Sequence, residues 1–103
     1  MLLTEKIRES LPPLYGNDGK SESETKVIVK FFTPDSSWTW YVTEFDGADT
    51  FFGLVDGFEQ ELGSFSLKEL KSIRGPLGLP IERDRHFTPK SLSKVREGIA
   101  VLN

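Results

Sequence analysis

The sequence predicts an α+β domain in which a four-stranded antiparallel meander is preceded by an N-terminal helix and followed by two C-terminal helices. Three features carry that reading. Between Val27 and Phe58, large apolar or aromatic side chains fall on both alternating phases, so the strands build a sheet with two apolar faces, each needing a cover. The segments 34–37 (Pro-Asp-Ser-Ser) and 46–49 (Asp-Gly-Ala-Asp) hold the residues of tight turns, which makes the strands they join antiparallel. Ser66 with Glu69, and Thr88 with Pro89, are helix-start signatures placed after the strands.

Each element follows from its local chemistry. Thr4 caps a short helix running to Ser10, with Ile7 and Leu11 on its inner side, and Pro12 and Pro13 stop it. From Gly16 to Thr25 there is no apolar residue and turn formers abound, which predicts a mobile surface loop. Strands are expected near 26–33, 37–46 and 50–58, with a short fourth over 61–65. Gly53 inside the third marks a bulge or the close approach of another group. Ser66 and Glu69 form a capping box, Phe65 and Leu70 its hydrophobic staple, and Gly75-Pro76 ends that helix. Leu77, Leu79 and Ile81 are expected in the core. Thr88 then caps the last helix, with Pro89 at its first position, Phe87 and Leu92 as staple, and Val95 and Ile99 on its apolar face.

Length and composition bound the possibilities. At 103 residues with 37% hydrophobic content, residues 1–103 make a single domain. No cysteine is present, which excludes a disulfide framework and a thiolate zinc site and fits a reducing cytoplasmic setting. The N-terminus turns charged at once, no apolar run approaches a membrane span, and no membrane partner is expected. The net charge of -3 conceals a split: residues 1–67 carry 5 Lys/Arg against 12 Asp/Glu, or -7, while residues 68–103 carry 8 against 4, or +4. A basic half of this kind serves either as ordinary solvated surface or as a docking face for phosphates or acidic partners.

Catalytic chemistry is hard to assemble from these residues. His86 is the sole histidine, so any His-assisted serine mechanism must use it. Ser36, Ser37, Ser64 and Ser66 sit in turn or capping contexts, and no Gly-x-Ser-x-Gly elbow exists. Glu44, Asp46, Asp49, Asp56, Glu59 and Glu61 gather at strand ends, and a convergent pair would allow a carboxylate-based hydrolase or a magnesium site. A meander distributes them over opposite ends of alternate strands, where they serve solubility and edge protection. The segment 75–80 (Gly-Pro-Leu-Gly-Leu-Pro) lacks both the Walker lysine and the dinucleotide fingerprint. No catalytic residue, metal ligand or cofactor is assigned, and the chain is expected not to be an enzyme.

Binding is the better expectation. Trp38 and Trp40 share one phase of the second strand, Tyr41 and Phe45 the other. One phase is expected under the C-terminal helices; the other is expected to be covered only in part, by residues 11–15 (Leu-Pro-Pro-Leu-Tyr). Base stacking on these rings would require interleaved Arg or Lys, which the second strand lacks, so the exposed pair reads as a protein contact. Arg83 is expected to clamp Glu82, Asp84 or Glu44. Arg83, Arg85, Lys90, Lys94 and Arg96 would form one basic stripe if the C-terminal half bound nucleic acid. The candidate binding residues are thus Trp38, Trp40, Tyr41, Glu44, Arg83, Arg85, Lys94 and Arg96.

The blocks at 11–15, 30–34 (Lys-Phe-Phe-Thr-Pro), 38–42 (Trp-Thr-Trp-Tyr-Val), 51–55 (Phe-Phe-Gly-Leu-Val), 61–63 with 65–70, and 74–76 with 78–84 and Phe87 resemble a bacterial family catalogued only as a domain of unknown function. The resemblance spans nearly the whole chain. It departs after Asp84, where Arg85-His86 stands in place of a bulky apolar or aromatic pair, so it assigns His86 no family role. The resemblance implies a small protein or module carried on plasmids, phages and other mobile elements, beside DNA-processing or antirestriction proteins, with no catalytic residues to carry over. The function expected is a non-enzymatic module that docks on a host-defence or DNA-processing protein; the alternatives are a nucleic-acid-binding accessory protein and a small hydrolase.

Overall fold

The structure, a computed structural model, describes residues 2–102. Its elements in chain order are α1 (Glu5–Ser10), β1 (Lys26–Val27), β2 (Val29–Phe32), β3 (Thr39–Phe45), β4 (Thr50–Asp56), β5 (Gln60–Ser66), α2 (Leu67–Ser72), β6 (Glu82–Arg83), β7 (Lys90–Ser91) and α3 (Leu92–Leu102). The α+β class and the antiparallel meander are present, with differences in detail. A five-stranded sheet runs in the order β5-β4-β3-β2-β6, and β1 and β7 form a separate two-stranded ladder. The extra strand β6 comes from the charged segment after Ile81, which pairs through Glu82 and Arg83 with the otherwise open edge of β2. The first predicted strand breaks at Ile28, whose N–H still donates to Val42 O at 2.9 Å.

Both C-terminal helices differ from their predicted limits. α2 stops at Ser72, with Ile73 as C-cap, before Gly75 is reached. α3 starts at Leu92 rather than after Thr88, because residues 90–91 are spent on the open backbone of β1 and Leu92 N–H donates to Thr25 O at 2.8 Å. Ser91 takes over the capping role, its Oγ accepting from Lys94 N–H at 3.2 Å. The other caps match: Thr4 Oγ1 accepts from Ile7 N–H, and Ser66 Oγ from Glu69 N–H. Asp49 reinforces the Ser66 cap, its carboxylate accepting from Ser66 Oγ–H at 2.6 Å and from Lys68 N–H at 2.8 Å.

A β-bulge between Val42 and Glu44 decides what lies on each face of the sheet. One extra residue there reverses the alternation, so Phe45 joins Trp40 and Val42 rather than Tyr41. That face packs Val29, Phe31, Trp40, Val42, Phe45 and Phe51 against Leu3, Leu11, Leu67, Leu70 and Ile81. The opposite face packs Val27, Tyr41 and Leu54 against Leu92, Val95 and Ile99 of α3. Neither apolar phase of β3 is therefore left as an open surface, which corrects the expectation of a partly covered face. The cover on the Trp40 side is more complete than residues 11–15 alone would give, because α2 and Ile81 add to it. Burying large side chains such as these contributes about 1.5–3 kcal/mol each.

The glycine expectation holds. Gly53 of β4 lies opposite Val42 in the last register before the bulge, and a Cβ there would sit 2.0 Å from Tyr41 O. The loop after α2 behaves differently from its prediction: Ile81 is buried, but Leu77 is 80% and Leu79 43% exposed. A bridge between Arg74 and Pro80 closes this segment into a projecting turn, and Asp35 holds its tip by accepting from Leu77 N–H at 2.7 Å.

Candidate functional site

Two surface regions and one cleft collect the predicted binding residues. The first lies at the end of the sheet where β3 begins and β4 ends. Trp38 is partly buried and stands 6.1 Å from the Trp40 ring and 5.3 Å from the Phe58 ring, the latter edge to face. Phe58, in the turn after β4, is 94% exposed. Gly57 makes this contact possible, since a Cβ there would come 2.4 Å from Trp38 Cζ3. Trp38 also lines a groove of about 320 Å³ with Thr33, Trp40, Ile73, Arg74 and Pro76, and Leu77, the residue after Pro76, is exposed. Phe58 against Trp38, and Pro76 in the groove wall with Leu77 following it in the chain, thus bring exposed apolar side chains to this end of the sheet, from a turn on one side and from the Asp35-held loop on the other.

The second region surrounds the edge strand β6. Arg83 and Arg85 line two adjoining clefts of about 500 Å³ each, one walled by Leu2, Leu70 and Lys71, the other by Lys6, Ile7, Ile28 and Phe87. Arg83 donates to Leu2 O at 2.9 Å, and Asp84 pairs with Lys30 of the neighbouring strand at 3.7 Å. Arg96 is drawn away from any common stripe: its Nε lies 2.8 Å from Glu22 and its Nη1 donates to Gln60 Oε1 at 3.1 Å. Lys90 lies over the Phe87 ring, and Lys94 is exposed on α3. The cations therefore divide between the β6 clefts and α3.

Trp40 and Tyr41 belong to opposite core clusters and are largely buried, Trp40 reaching only the wall of the groove beside Trp38. Glu44 is the outlier of the set, a carboxylate only 5% exposed. It lies on the α3 side of the sheet beside its cross-strand neighbour Phe52, where it lines a pocket with Lys20 and with Leu92, the first residue of α3. Its Oε1 accepts from Tyr15 N–H at 2.6 Å, and Tyr15 has φ 67, a left-handed conformation uncommon for a residue with a side chain. Sequence reasoning included Glu44 but could not place it, because the bulge that turns it inward is a property of the strand pairing.

The remaining titratable groups are in structural use. Asp46 Oδ1 accepts from the N–H groups of Ala48, Asp49 and Thr50. The Ala48 and Asp49 donors above all hold its carboxyl below the ordinary aspartate range. The Ser66 hydroxyl and then the Lys68 N–H do the same for Asp49. Burial raises the Tyr41 phenol, with Asp56 and Asp84 adding to the effect. His86 is exposed, and its N–H donates to Asp84. Among the described residues, no three His, Cys, Asp or Glu side chains converge to hold a metal ion, and no helix is long and apolar enough to cross a membrane.

Compared with known families, residues 2–97 match the model described as a protein of unknown function, DUF2958. No curated protein and no solved structure matches the chain.

Proposed function

The chain belongs to the DUF2958 family of proteins of unknown function, and on that footing we propose that it is a non-enzymatic binding module that docks on a protein partner through the Trp38–Phe58–Leu77 end of the sheet. One observation carries this reading. A phenylalanine left 94% exposed edge to face with a tryptophan that lines a groove, with Leu77, next in sequence to Pro76 of the groove wall, 80% exposed, is a concentration of exposed apolar surface, where scattered single apolar residues would need no explanation. Aromatic anchors around a groove are also where protein interfaces concentrate their affinity. The occupant is a protein surface with an apolar ridge, and the module is one carried by a mobile element, with a host-defence or DNA-processing protein as the partner class.

The experiment is affinity capture from the source organism with the wild-type chain and with Phe58→Ser/Leu77→Ser, each with and without nuclease. Both side chains are at the surface, so the variant keeps the fold. Burying Phe58 alone is worth about 1.5–3 kcal/mol, so a genuine partner is retained by the wild type, lost with the variant and unaffected by nuclease. Capture that is indifferent to both substitutions sinks the proposal.

A second reading rests on the β6 clefts, where Arg83, Arg85, Lys6 and Lys71 approach one another around apolar walls. It makes the chain a nucleic-acid-binding accessory protein. Glu82 and Asp84 interrupt that surface, and the net charge of -3 opposes phosphate approach elsewhere. Duplex and single-stranded DNA are therefore expected to bind weakly or not at all at physiological salt. A tight complex whose affinity falls steeply with salt, abolished by Lys71→Glu/Arg85→Glu, would reverse the order of the two readings.

A further inference from the structure

We propose that the Glu44 cleft, at the other end of β3 from the Trp38 rim, is a binding site for a primary ammonium group on an apolar stem, presented as a lysine side chain. Glu44 carries the inference. It is a carboxylate 5% exposed, and among the described residues it forms no ion pair and accepts one hydrogen bond, through Oε1. Burying a carboxylate is unfavourable unless charge or several donors compensate it. A single neutral N–H at 2.6 Å engages Oε1 and leaves Oε2, which is not sealed among the buried side-chain atoms, open to a donor from outside the chain.

The surroundings supply what a cation would need. Glu44 lines a cavity of about 210 Å³ with Leu14, Tyr15, Asp18, Phe52 and Ser64. An ammonium has three donors and no acceptor, and this cavity offers three acceptor groups: the Glu44 carboxylate, the Ser64 hydroxyl and the Asp18 carboxylate. Leu14, Phe52 and Tyr15 give an apolar and aromatic wall suited to a methylene stem and to a cation near a ring. With one Glu44 oxygen already engaged by Tyr15, a point charge fits better than a guanidinium, whose fork favours a bidentate carboxylate. Volume decides the class of ligand: drug-sized molecules occupy pockets of about 300–1,000 Å³, and 210 Å³ suits a single side chain.

The test is an amide-resolved NMR titration of the full chain with N-acetyl-lysine methylamide and, separately, with N-acetyl-norleucine methylamide, which keeps the stem and removes the charge. The lysine compound is expected to give saturable shifts at Tyr15, Asp18, Phe52 and Ser64, and the norleucine compound none. Glu44→Gln should weaken lysine binding by about tenfold or more, the range for hydrogen bonds to a charged group. If Glu44→Gln fails to fold, the exposed-side variants Asp18→Asn and Ser64→Ala replace it, each expected to weaken binding several-fold. A free alkylamine binding well while the capped lysine does not would overturn the side-chain assignment. Equal shifts with norleucine, no saturation, or full affinity in the variants would overturn the site.

Discussion

Two glycines facing each other across β4 and β5 should respond in opposite ways to the same substitution. Gly53 and Gly63 are cross-strand partners, and neither has a positive φ, so alanine is conformationally acceptable at both. At Gly53, however, the new Cβ would stand 2.0 Å from Tyr41 O and 2.9 Å from Tyr41 C, both backbone atoms of β3. An ordinary C···O contact is about 3.3 Å, so β3 must retreat by roughly 1.3 Å, which stretches adjoining ladder bonds beyond the usual limit of about 3.2 Å. β4 has no room to yield, being paired on its other side to β5 along its whole length. Overpacking of about 1–3 kcal/mol, with two ladder bonds at about 1 kcal/mol each, makes Gly53→Ala a loss of about 3–5 kcal/mol. Against a total stability of about 5–15 kcal/mol, that lowers the melting temperature by at least about 10 °C. At Gly63 nothing lies within 4 Å of the added methyl. Gly63→Ala should be neutral or stabilise by about 0.4–1 kcal/mol through the unfolded chain. Urea and thermal unfolding followed by circular dichroism measure both. A near-neutral Gly53→Ala, or a Gly63→Ala as damaging as its partner, would refute the reasoning.

Ser66→Ala removes an N-cap that also anchors Asp49, so it should cost about 0.5–2 kcal/mol, seen as a fall of a few degrees in melting temperature, while partner capture is preserved; lost capture at unchanged stability would assign Ser66 a functional role. Asp46 and Asp49 have folded pKa values below the ordinary aspartate value, so the stability they contribute is complete above about pH 3.9 and disappears as the pH falls through the lowered folded values. Asp46→Asn/Asp49→Asn should accordingly flatten the acid limb of the stability–pH curve, and an unchanged limb would contradict the assignment.

The local chemistry of the chain determined a good deal. Thr4 and Ser66 cap where a short polar side chain precedes an amphipathic run, and Asp46-Gly47 turns the chain where three N–H groups find one carboxylate. These interactions span a few residues and need no partner from elsewhere. The third helix shows where such reasoning ends: Thr88-Pro89 is an adequate start signal, yet residues 90–91 pair with β1, more than sixty positions earlier in the chain, and the helix begins at Leu92. Glu82-Arg83 likewise became a strand because β2 had an open edge for it to satisfy. Leu77 and Leu79 satisfy the composition of a core segment but are held outward by Asp35, over forty positions away.

Above all, the bulge between Val42 and Glu44 belongs to the pairing of β3 with β4. It places Phe45 beside Trp40 and turns Glu44 to the opposite side, where Tyr15 meets it. Alternation in sequence establishes that β3 has two occupied faces; which residue occupies which face depends on backbone hydrogen bonds between strands, and a single unpaired residue exchanges the two.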